Sequence, residues 1–356
     1  MRGPGMVKVL VVNVASEGGG AETVLRNLTG ALAGRTGGLQ VDTFSKDAYS
    51  RNRAGGKLAG YASFLRELRA RSVEYDVVMS GVEGIPFLLC RLALFGRARP
   101  VLAMWLHCNP VAYLPFQNWH SRLAIRASLM AARRVICAAP AEAGRLCQRG
   151  KDALYLPNFR RPGALRPDAP VPRQVVPKFA FVGSLAPLKQ PLKAVALLAW
   201  LAQRGGTAYH LDLFGAGVLS GEVAGLIERS GQQRCVTVHG FVANPWSRIA
   251  PGSILLLPSL TEAMPMVVLE AFEHGCVVIA NTFAGHAFFQ GHDGLFLAAD
   301  FTDIAGVARC VDACAAWSEP ELAQRVARSR AFVRAEFDNQ RSVATMRGYL
   351  ERIAAA

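Results

Sequence analysis

The sequence predicts an α/β protein made of two doubly wound parallel sheets in succession. Three observations carry this reading. Short continuous apolar runs alternate with helix-period segments along nearly the whole chain, the pattern of βα units whose strands are covered on both faces. A chain of 356 residues with 51% apolar residues is long enough for two domains and supplies two cores. Five prolines between Arg160 and Lys178 (Pro162, Pro167, Pro170, Pro172 and Pro177) interrupt the alternation once, in a stretch without periodicity. The expected organisation is a first domain over residues 1–160, a Pro-rich linker at 161–177, a second domain over 178–340, and a final helical segment at 341–356.

The first half opens with a buried strand at 7–13, a loop Ala15-Ser16-Glu17-Gly18-Gly19-Gly20, and a helix at 21–32. Strand, glycine-rich loop and helix together let backbone N–H groups approach a ligand. The same loop also serves as a tight βα connection, and both readings stand. Strands at 41–44, 76–79 and 101–106 then alternate with helices at 59–71 and 86–94. His107 follows the last of these strands, on the side of a parallel sheet where ligands bind. The aromatic stretch Tyr113 to His120 precedes a helix at 121–134 that carries Arg122, Arg126, Arg133 and Arg134. Taken alone, that helix packs on the sheet with a solvated basic face; taken with the aromatic loop, it suits a membrane surface. Strands at 135–138 and 153–156 close the half.

In the second half a strand at 179–183 leads through Ser184 and Lys189 to a helix at 191–203. Lys189, just before a helix start, is placed to meet a phosphate, although a lysine in such a loop is ordinarily a surface residue. Strands at 209–214 and 236–238 follow, with a helix at 222–230 between them, and then His239-Gly240-Phe241. The stretch from Leu255 to Asn281, LLLPSLTEAMPMVVLEAFEHGCVVIAN, is the most informative. It reads as a strand at 254–257, an acidic loop with Glu262, a helix at 266–274 and a strand at 277–280. Pro265 is expected at the first helical position and Gly275 just past the end. The helix N-terminus attracts anions, phosphate above all. Carboxylates at Glu262 and Glu270 do not bind phosphate but accept hydrogen bonds from hydroxyls, so the pattern suits a ligand with both phosphate and sugar hydroxyls. A strand at 295–297 and helices at 305–317, 321–337 and 342–353 complete the chain.

The net charge of +14 is uneven, with 24 Lys+Arg against 11 Asp+Glu up to residue 170 and 16 against 15 thereafter. A basic half serves nucleic acid, an anionic membrane or an anionic substrate, or simply solubility. Nucleic acid would account for the charge but not for the paired glutamates, and no recognition motif is present. None of the eight cysteines forms a CxxC pair, so neither a zinc site nor a disulfide framework is expected. No apolar run reaches the ~18 residues of a membrane span. The first apolar run is short and enters a glycine-rich loop, which reads as a buried strand and not a signal peptide. A cytoplasmic protein is the default expectation.

These features, in this order, resemble a known family. GGGAETVLRNL near the start, YLPN at 155–158, FVGSLAPLK, LDLFGAG, VHGFV and PSLTEAMPMVVLEAFEHGCVVIAN are similar to the retaining glycosyltransferases of family 4, glycosyl transferases group 1. The seven residues between Glu262 and Glu270 match that family's EX7E element. The resemblance covers nearly the whole chain and is most specific from Ser259 to Asn281. It implies the GT-B fold, two Rossmann-like domains facing an interdomain cleft, with the nucleotide-sugar donor on the second, the acceptor on the first, and the last helix returning to the first. Glu270 would hold the ribose hydroxyls and Glu262 the donor sugar. Backbone N–H groups near Met266 and Val267, with Lys189, would meet the diphosphate after Gly183 and Ser184. His107 would touch the sugar near the reacting carbon. Gly19 and Gly20 would lie by the diphosphate and acceptor, and Gly240 with Phe241 near the base.

The implied reaction moves a hexose-type sugar from a nucleoside diphosphate to a hydroxyl with retention, in cell-surface polysaccharide or glycoconjugate synthesis. Glu262, His107 and Lys189 are the expected catalytic set. No DxD-like pair stands in a suitable loop, so no metal or other cofactor is expected. The basic first half and its aromatic loop suit a glycan or lipid-linked acceptor at the inner face of an anionic membrane. Two departures from the family stand out: Ser184 replaces an arginine, and Ala284-Gly285-His286-Ala287-Phe288 lacks an acidic residue at Phe288. The competing readings are a sugar-nucleotide epimerase or hydrolase of the same fold, and a donor-binding protein with degenerate activity.

Overall fold

The computed structural model describes the backbone of residues 6–13, 23–25, 27–28, 31, 38–45, 56–160, 170–174, 176–205, 209–283, 286–290 and 294–356, to which all that follows refers. The loop at 15–20, with Gly19 and Gly20, lies outside the described residues, as do 161–169 of the proline-rich segment. The chain divides into two compact units, one made of Met1–Pro162 with Phe337–Ala356, the other of Gly163–Glu336.

The first unit holds six strands, β1 (Val7–Asn13), β2 (Leu39–Ser45), β3 (Val77–Ser80), β4 (Val101–Leu106), β5 (Arg134–Cys137) and β6 (Asp152–Tyr155). Every pair is parallel and the order is β2-β1-β3-β4-β5-β6. A strand covered on both faces has no reason to alternate polar and apolar residues, which is why these segments read as continuous apolar runs. Residues two apart still share a face. Leu10 and Val12 join Phe44, Phe64 and Val78 in one buried cluster, while Met104, Leu106, Val135 and Cys137 join Phe87 and Leu146 in another.

Two details of this unit differ from the sequence expectation. The basic helix spans Trp119–Ala131, not 121–134: Asn118 caps it by accepting from the Ser121 N–H at 2.9 Å, and Arg134 already belongs to β5. Trp119 and His120 are therefore helical. A further helix, Pro140–Gln148, has no counterpart in the sequence reading; a proline at its first position starts it. The last helix, Asn339–Ala355, is held to this unit by the Tyr349 hydroxyl, which donates to the Asp152 carbonyl at 2.8 Å, and by a bidentate Arg352–Asp152 pair at 2.9 and 2.8 Å.

The second unit has β7 (Lys178–Val182), β8 (His210–Phe214), β9 (Val236–Gly240), β10 (Ile254–Leu257), β11 (Val277–Asn281) and β12 (Phe296–Ala299). All are parallel, in the order β12-β11-β10-β7-β8-β9. The chain lays β8 and β9 on one side of β7, then returns to lay β10, β11 and β12 on the other. This is the Rossmann strand order, and its direction reverses between β7 and β10. The described part of the proline-rich segment, 170–174, lies on this unit, with the Gln174 amide donating to the Pro251 carbonyl at 3.0 Å.

Between β10 and β11 runs the Met266–His274 helix, ended by Gly275 at φ 75°, the left-handed conformation for which glycine is suited. Pro265 stands one position earlier than expected. Its ψ of 114° is extended, so it flanks the helix as the N-cap, and its carbonyl accepts from the Val268 N–H at 3.1 Å. Among the described residues no helix is long and apolar enough to cross a membrane.

Candidate functional site

In an open parallel sheet the crevice for a ligand forms beyond the carboxyl ends of the strands, where the strand order reverses. In the second unit that point lies between β7 and β10, so the loops after these two strands decide what the site can bind. The loop after β7 carries Lys189 in a tight turn, Pro187–Lys189, and the loop after β10 carries Glu262. The Leu260 N–H donates to the Leu188 carbonyl at 2.9 Å and ties the two loops together. Lys189 Nζ then donates to Glu262 Oε1 at 2.5 Å, with the side chains 29% and 11% exposed. Two residues separated by 73 positions are thus one charge pair at the switch point. Gln190, next to Lys189, sits at φ 49°, ψ 49°, the only non-glycine at positive φ among the described residues. Such a conformation costs on the order of 1–3 kcal/mol and clusters at functional sites. Here it lets the chain turn from the Lys189 segment directly into the Pro191–Gln203 helix.

The neighbouring strand ends are stitched by backbone hydrogen bonds. Gly183 N–H donates to the Phe214 carbonyl at 3.0 Å, Gly215 N–H to the Gly240 carbonyl at 2.7 Å, and Leu185 N–H to the Ala216 carbonyl at 3.1 Å. So close an approach demands glycine. Gly215 has φ 146°, and a Cβ there would collide with the Gly183 carbonyl; one on Gly217 would lie 2.5 Å from the Leu185 carbonyl oxygen. Ser184 is exposed in this loop. At the end of β9, His239 stacks on Phe214 at 4.3 Å and bonds Asp212 Oδ1 at 2.7 Å. This anchors the turn at Gly240, φ 67°, which presents an exposed Phe241.

The Met266–His274 helix is buried on most of its circumference, Phe272 meeting Phe332 of the Glu319–Glu336 helix at a ring separation of 6.4 Å. Met266, Val267 and Glu270, spaced so as to share a face, are the positions left partly exposed. Glu270 Oε2 accepts from the Trp246 indole N–H at 2.9 Å, and Trp246 lies 5.6 Å from the His274 ring, whose Nε2 meets the Ile249 carbonyl at 2.6 Å. Trp246 orients the carboxylate, and sequence reading missed it because nothing local to Asn244-Pro245-Trp246 refers to a residue 24 positions on.

In the first unit His107 follows β4 as expected, its ring stacked on buried Trp105 at 5.0 Å. The Gly81 carbonyl accepts from the ring, and because Nε2 has no hydrogen-bond partner, that bond falls on Nδ1. Dense packing lowers the imidazole pKa to about 4, with the Gly81 bond opposing, so the ring is neutral at pH 7 with Nε2 as a bare acceptor. Glu83, in the loop after β3, was missed by sequence reading. Its position one strand over from His107, at the same edge of the sheet, was the available signal.

The structure thus joins Lys189 to Glu262, links Gly183 to Gly240 through the end of β8, and sets Met266, Val267 and Glu270 on one helix face. His107 belongs to the other unit. Phe288 packs on Phe289 and Phe332, each at a ring separation of 5.4 Å, so the position serves packing.

Comparison with known proteins bears directly on this half of the chain. Residues 176–315 match the family described as Glycosyl transferases group 1. A D-inositol 3-phosphate glycosyltransferase of Arthrobacter sp. (strain FB24) is 32% identical over 139 residues, 35% of this chain and 32% of that protein. The match therefore spans about a third of the relative's length. Among solved structures, a sucrose-phosphate synthase from Thermosynechococcus elongatus superposes with a TM-score of 0.79 at 19% identity, covering 98% of this chain and 100% of that one. Anabaena HepE in complex with UDP and glucose gives 0.73 at 17% identity, with coverage of 98% and 100%. At these identities the likeness establishes the fold, that of GT-B glycosyltransferases.

Proposed function

We propose that the protein is a retaining GT-B glycosyltransferase of the family 4 type, transferring a hexose from a nucleoside diphosphate to a hydroxyl of a glycan or lipid-linked acceptor. The observation that carries this is the Lys189–Glu262 pair at the switch point of the second sheet, beside the helix that presents Met266, Val267 and Glu270. One cation for a diphosphate, one carboxylate for sugar hydroxyls and a second, oriented by Trp246, for a ribose make a set that neither a phosphate-only nor a sugar-only ligand would use. The match of residues 176–315 to Glycosyl transferases group 1 and the UDP and glucose held by HepE support the same reading. In this mechanism the bond from the anomeric carbon to the diphosphate oxygen breaks. The acceptor oxygen bonds the same face of that carbon, and the leaving oxygen takes the acceptor's proton. Lys189 and the helix N–H groups stabilise the growing charge on the diphosphate; Glu262 holds the sugar.

The test is a thermal-shift screen of nucleotides and nucleotide sugars. A ligand at 100 times its Kd stabilises the folded state by about 2.7 kcal/mol, so a cognate nucleoside-diphosphate sugar is expected to raise the melting temperature where the free sugar does not. No shift with any nucleotide or nucleotide sugar counts against the reading. Product analysis with and without acceptor separates transfer from epimerisation, hydrolysis and mere donor binding.

Peripheral attachment to an anionic membrane surface belongs to the same proposal. On the Trp119–Ala131 helix, Trp119, Leu123 and Met130 are 68%, 62% and 82% exposed, with Arg122 and Arg126 among them. Apolar and basic side chains on one exposed helix suit an interface of anionic lipid. The protein is expected to sediment with phosphatidylglycerol vesicles at low salt and to detach at high salt. Failure to sediment at low salt would remove the membrane from the proposal.

A further inference from the structure

A cavity of about 380 Å³ opens in the first unit between the Trp119–Ala131 and Pro140–Gln148 helices. Val111, Leu129, Met130 and Leu146 supply its aliphatic surface, with Val111 and Met130 exposed at the rim. Three cations, Arg145, Arg149 and Lys151, and one carboxylate, Glu142, supply its charge. Residues 142, 145, 146 and 149 follow the i, i+3, i+4, i+7 spacing, so one stripe of the Pro140–Gln148 helix and its C-cap faces the cavity. Lys151 immediately precedes β6, which puts the Arg149–Lys151 end at the amino edge of the sheet, opposite the carboxyl edge that holds His107. The cavity is therefore separate from any sugar-transfer chemistry at that carboxyl edge.

Two of the three cations are already committed. Glu142, buried, holds Arg145, its Oε1 3.0 Å from a guanidinium nitrogen. Lys151 Nζ donates to the Ala132 and Met130 carbonyls at 2.6 and 3.2 Å, which caps the Trp119–Ala131 helix and leaves one of its three protons. Arg149 acts on both Glu142 and Lys151, yet its guanidinium makes no hydrogen bond to a described residue. Burial first, and then the Arg149 charge, lowers the Lys151 pKa. An anion between the two cations relieves that repulsion. Inorganic phosphate would meet the cations but leave the aliphatic wall in water, and an uncharged lipid would do the reverse. No aromatic ring among the described residues lines the cavity to stack a nucleobase. A ligand with an anionic head and an apolar chain uses both parts.

We propose that this cavity is a headgroup site for one anionic phospholipid, its phosphate between Arg149 and Lys151 and the start of an acyl chain over Leu129, Met130 and Val111. Met130 also belongs to the exposed apolar row of the Trp119–Ala131 helix with Trp119 and Leu123, so a lipid seated here has its chains continuous with that surface. The inference rests on the membrane attachment proposed above and deepens it, from diffuse adsorption of basic and apolar side chains to one lipid in a defined site. It does not require sugar transfer.

The experiment is calorimetric titration of the full-length protein with dihexanoylphosphatidylglycerol below its micelle concentration, so that no membrane is present. Dihexanoylphosphatidylcholine keeps the chains and loses the net charge; glycerol phosphate keeps the head and loses the chains. Wild type is expected to bind the phosphatidylglycerol at one saturable site and each control about 10-fold or more weakly. Arg149→Gln removes a charge that bonds to nothing described, so its melting temperature is expected to stay at the wild-type value while phosphatidylglycerol affinity falls about 10-fold or more, the scale of one charge-assisted hydrogen bond. Met130→Gln, at an exposed position, is expected to weaken phosphatidylglycerol and leave glycerol phosphate as in wild type. Absence of saturable binding, or wild-type affinity in Arg149→Gln, overturns the site. Equal affinity for glycerol phosphate makes it a free-anion site and overturns the lipid; equal affinity for phosphatidylcholine overturns the role of the cations. A protein that binds no monomeric lipid but still sediments with phosphatidylglycerol vesicles loses the site and keeps the membrane attachment, and one that does neither loses both.

Discussion

Replacing Glu262 with alanine is expected to lower sugar transfer by about 10²- to 10³-fold or more, on the scale of removing one preorganised polar contact from an active site, and to leave the fold intact. The asymmetry of the pair explains why the fold survives. Breaking a buried ion pair is severe when a charge is left behind without water, on the order of 3–5 kcal/mol. The charge left behind here is Lys189, 29% exposed, which water can solvate. Removing Lys189 instead strands a carboxylate that is only 11% exposed, so Lys189→Ala is expected to be the less stable of the two. The variants also part in binding. Glu262→Ala frees Lys189 and should bind UDP at least as well as wild type while failing to transfer, whereas Lys189→Ala should lose diphosphate affinity first. Melting curves, UDP titrations and product assays on the two variants check this. Full transfer activity in Glu262→Ala would sink the assignment.

Gly215→Ala is expected to give the largest loss of stability of any single methyl added to the second unit. Two effects add. A φ of 146° lies in a region that side chains avoid at a cost of order 1–3 kcal/mol, and the new Cβ would overlap the backbone carbonyl of Gly183, which has no rotamer with which to yield. The loop after β8 must therefore move, breaking the hydrogen bonds from Gly215 to Gly240 and from Leu185 to Ala216 that align the strand ends. A total of about 3 kcal/mol or more is expected, together with lost nucleotide affinity. The control is Gly221→Ala, in the Ser220–Arg229 helix, where an added Cβ meets nothing within 4 Å and alanine favours the helix by up to about 1 kcal/mol. Denaturant unfolding of the pair should shift in opposite directions. A Gly215→Ala protein as stable as wild type would mean that the loops are not held as described.

The strands, most helices and the stretch from Leu255 to Asn281 were legible in the sequence because they depend on local rules: apolar runs for doubly covered strands, helical period, and a glycine where the helix ends at Gly275. Glu262, Glu270, Lys189 and His107 could be singled out for the same reason, each lying at the mouth of a strand or on the helix that follows one. The helix boundary at Pro265 was less legible, since an N-cap there differs from a first helical residue in its extended ψ.

What the tertiary structure decided is which of these residues meet. The strand order places β7 beside β10, and only that order brings Lys189 to Glu262. Trp246 reaches Glu270, and Gly215 presses on Gly183, through contacts that no periodicity encodes. Glu83 shows the same limit: a carboxylate in a loop reads as solvated until the fold buries it against His107 and Cys108. Sequence by itself determined the elements and the chemical types at their ends, because those follow from neighbours along the chain. Pairing, burial and charge state follow from neighbours in space, and only the fold supplies them.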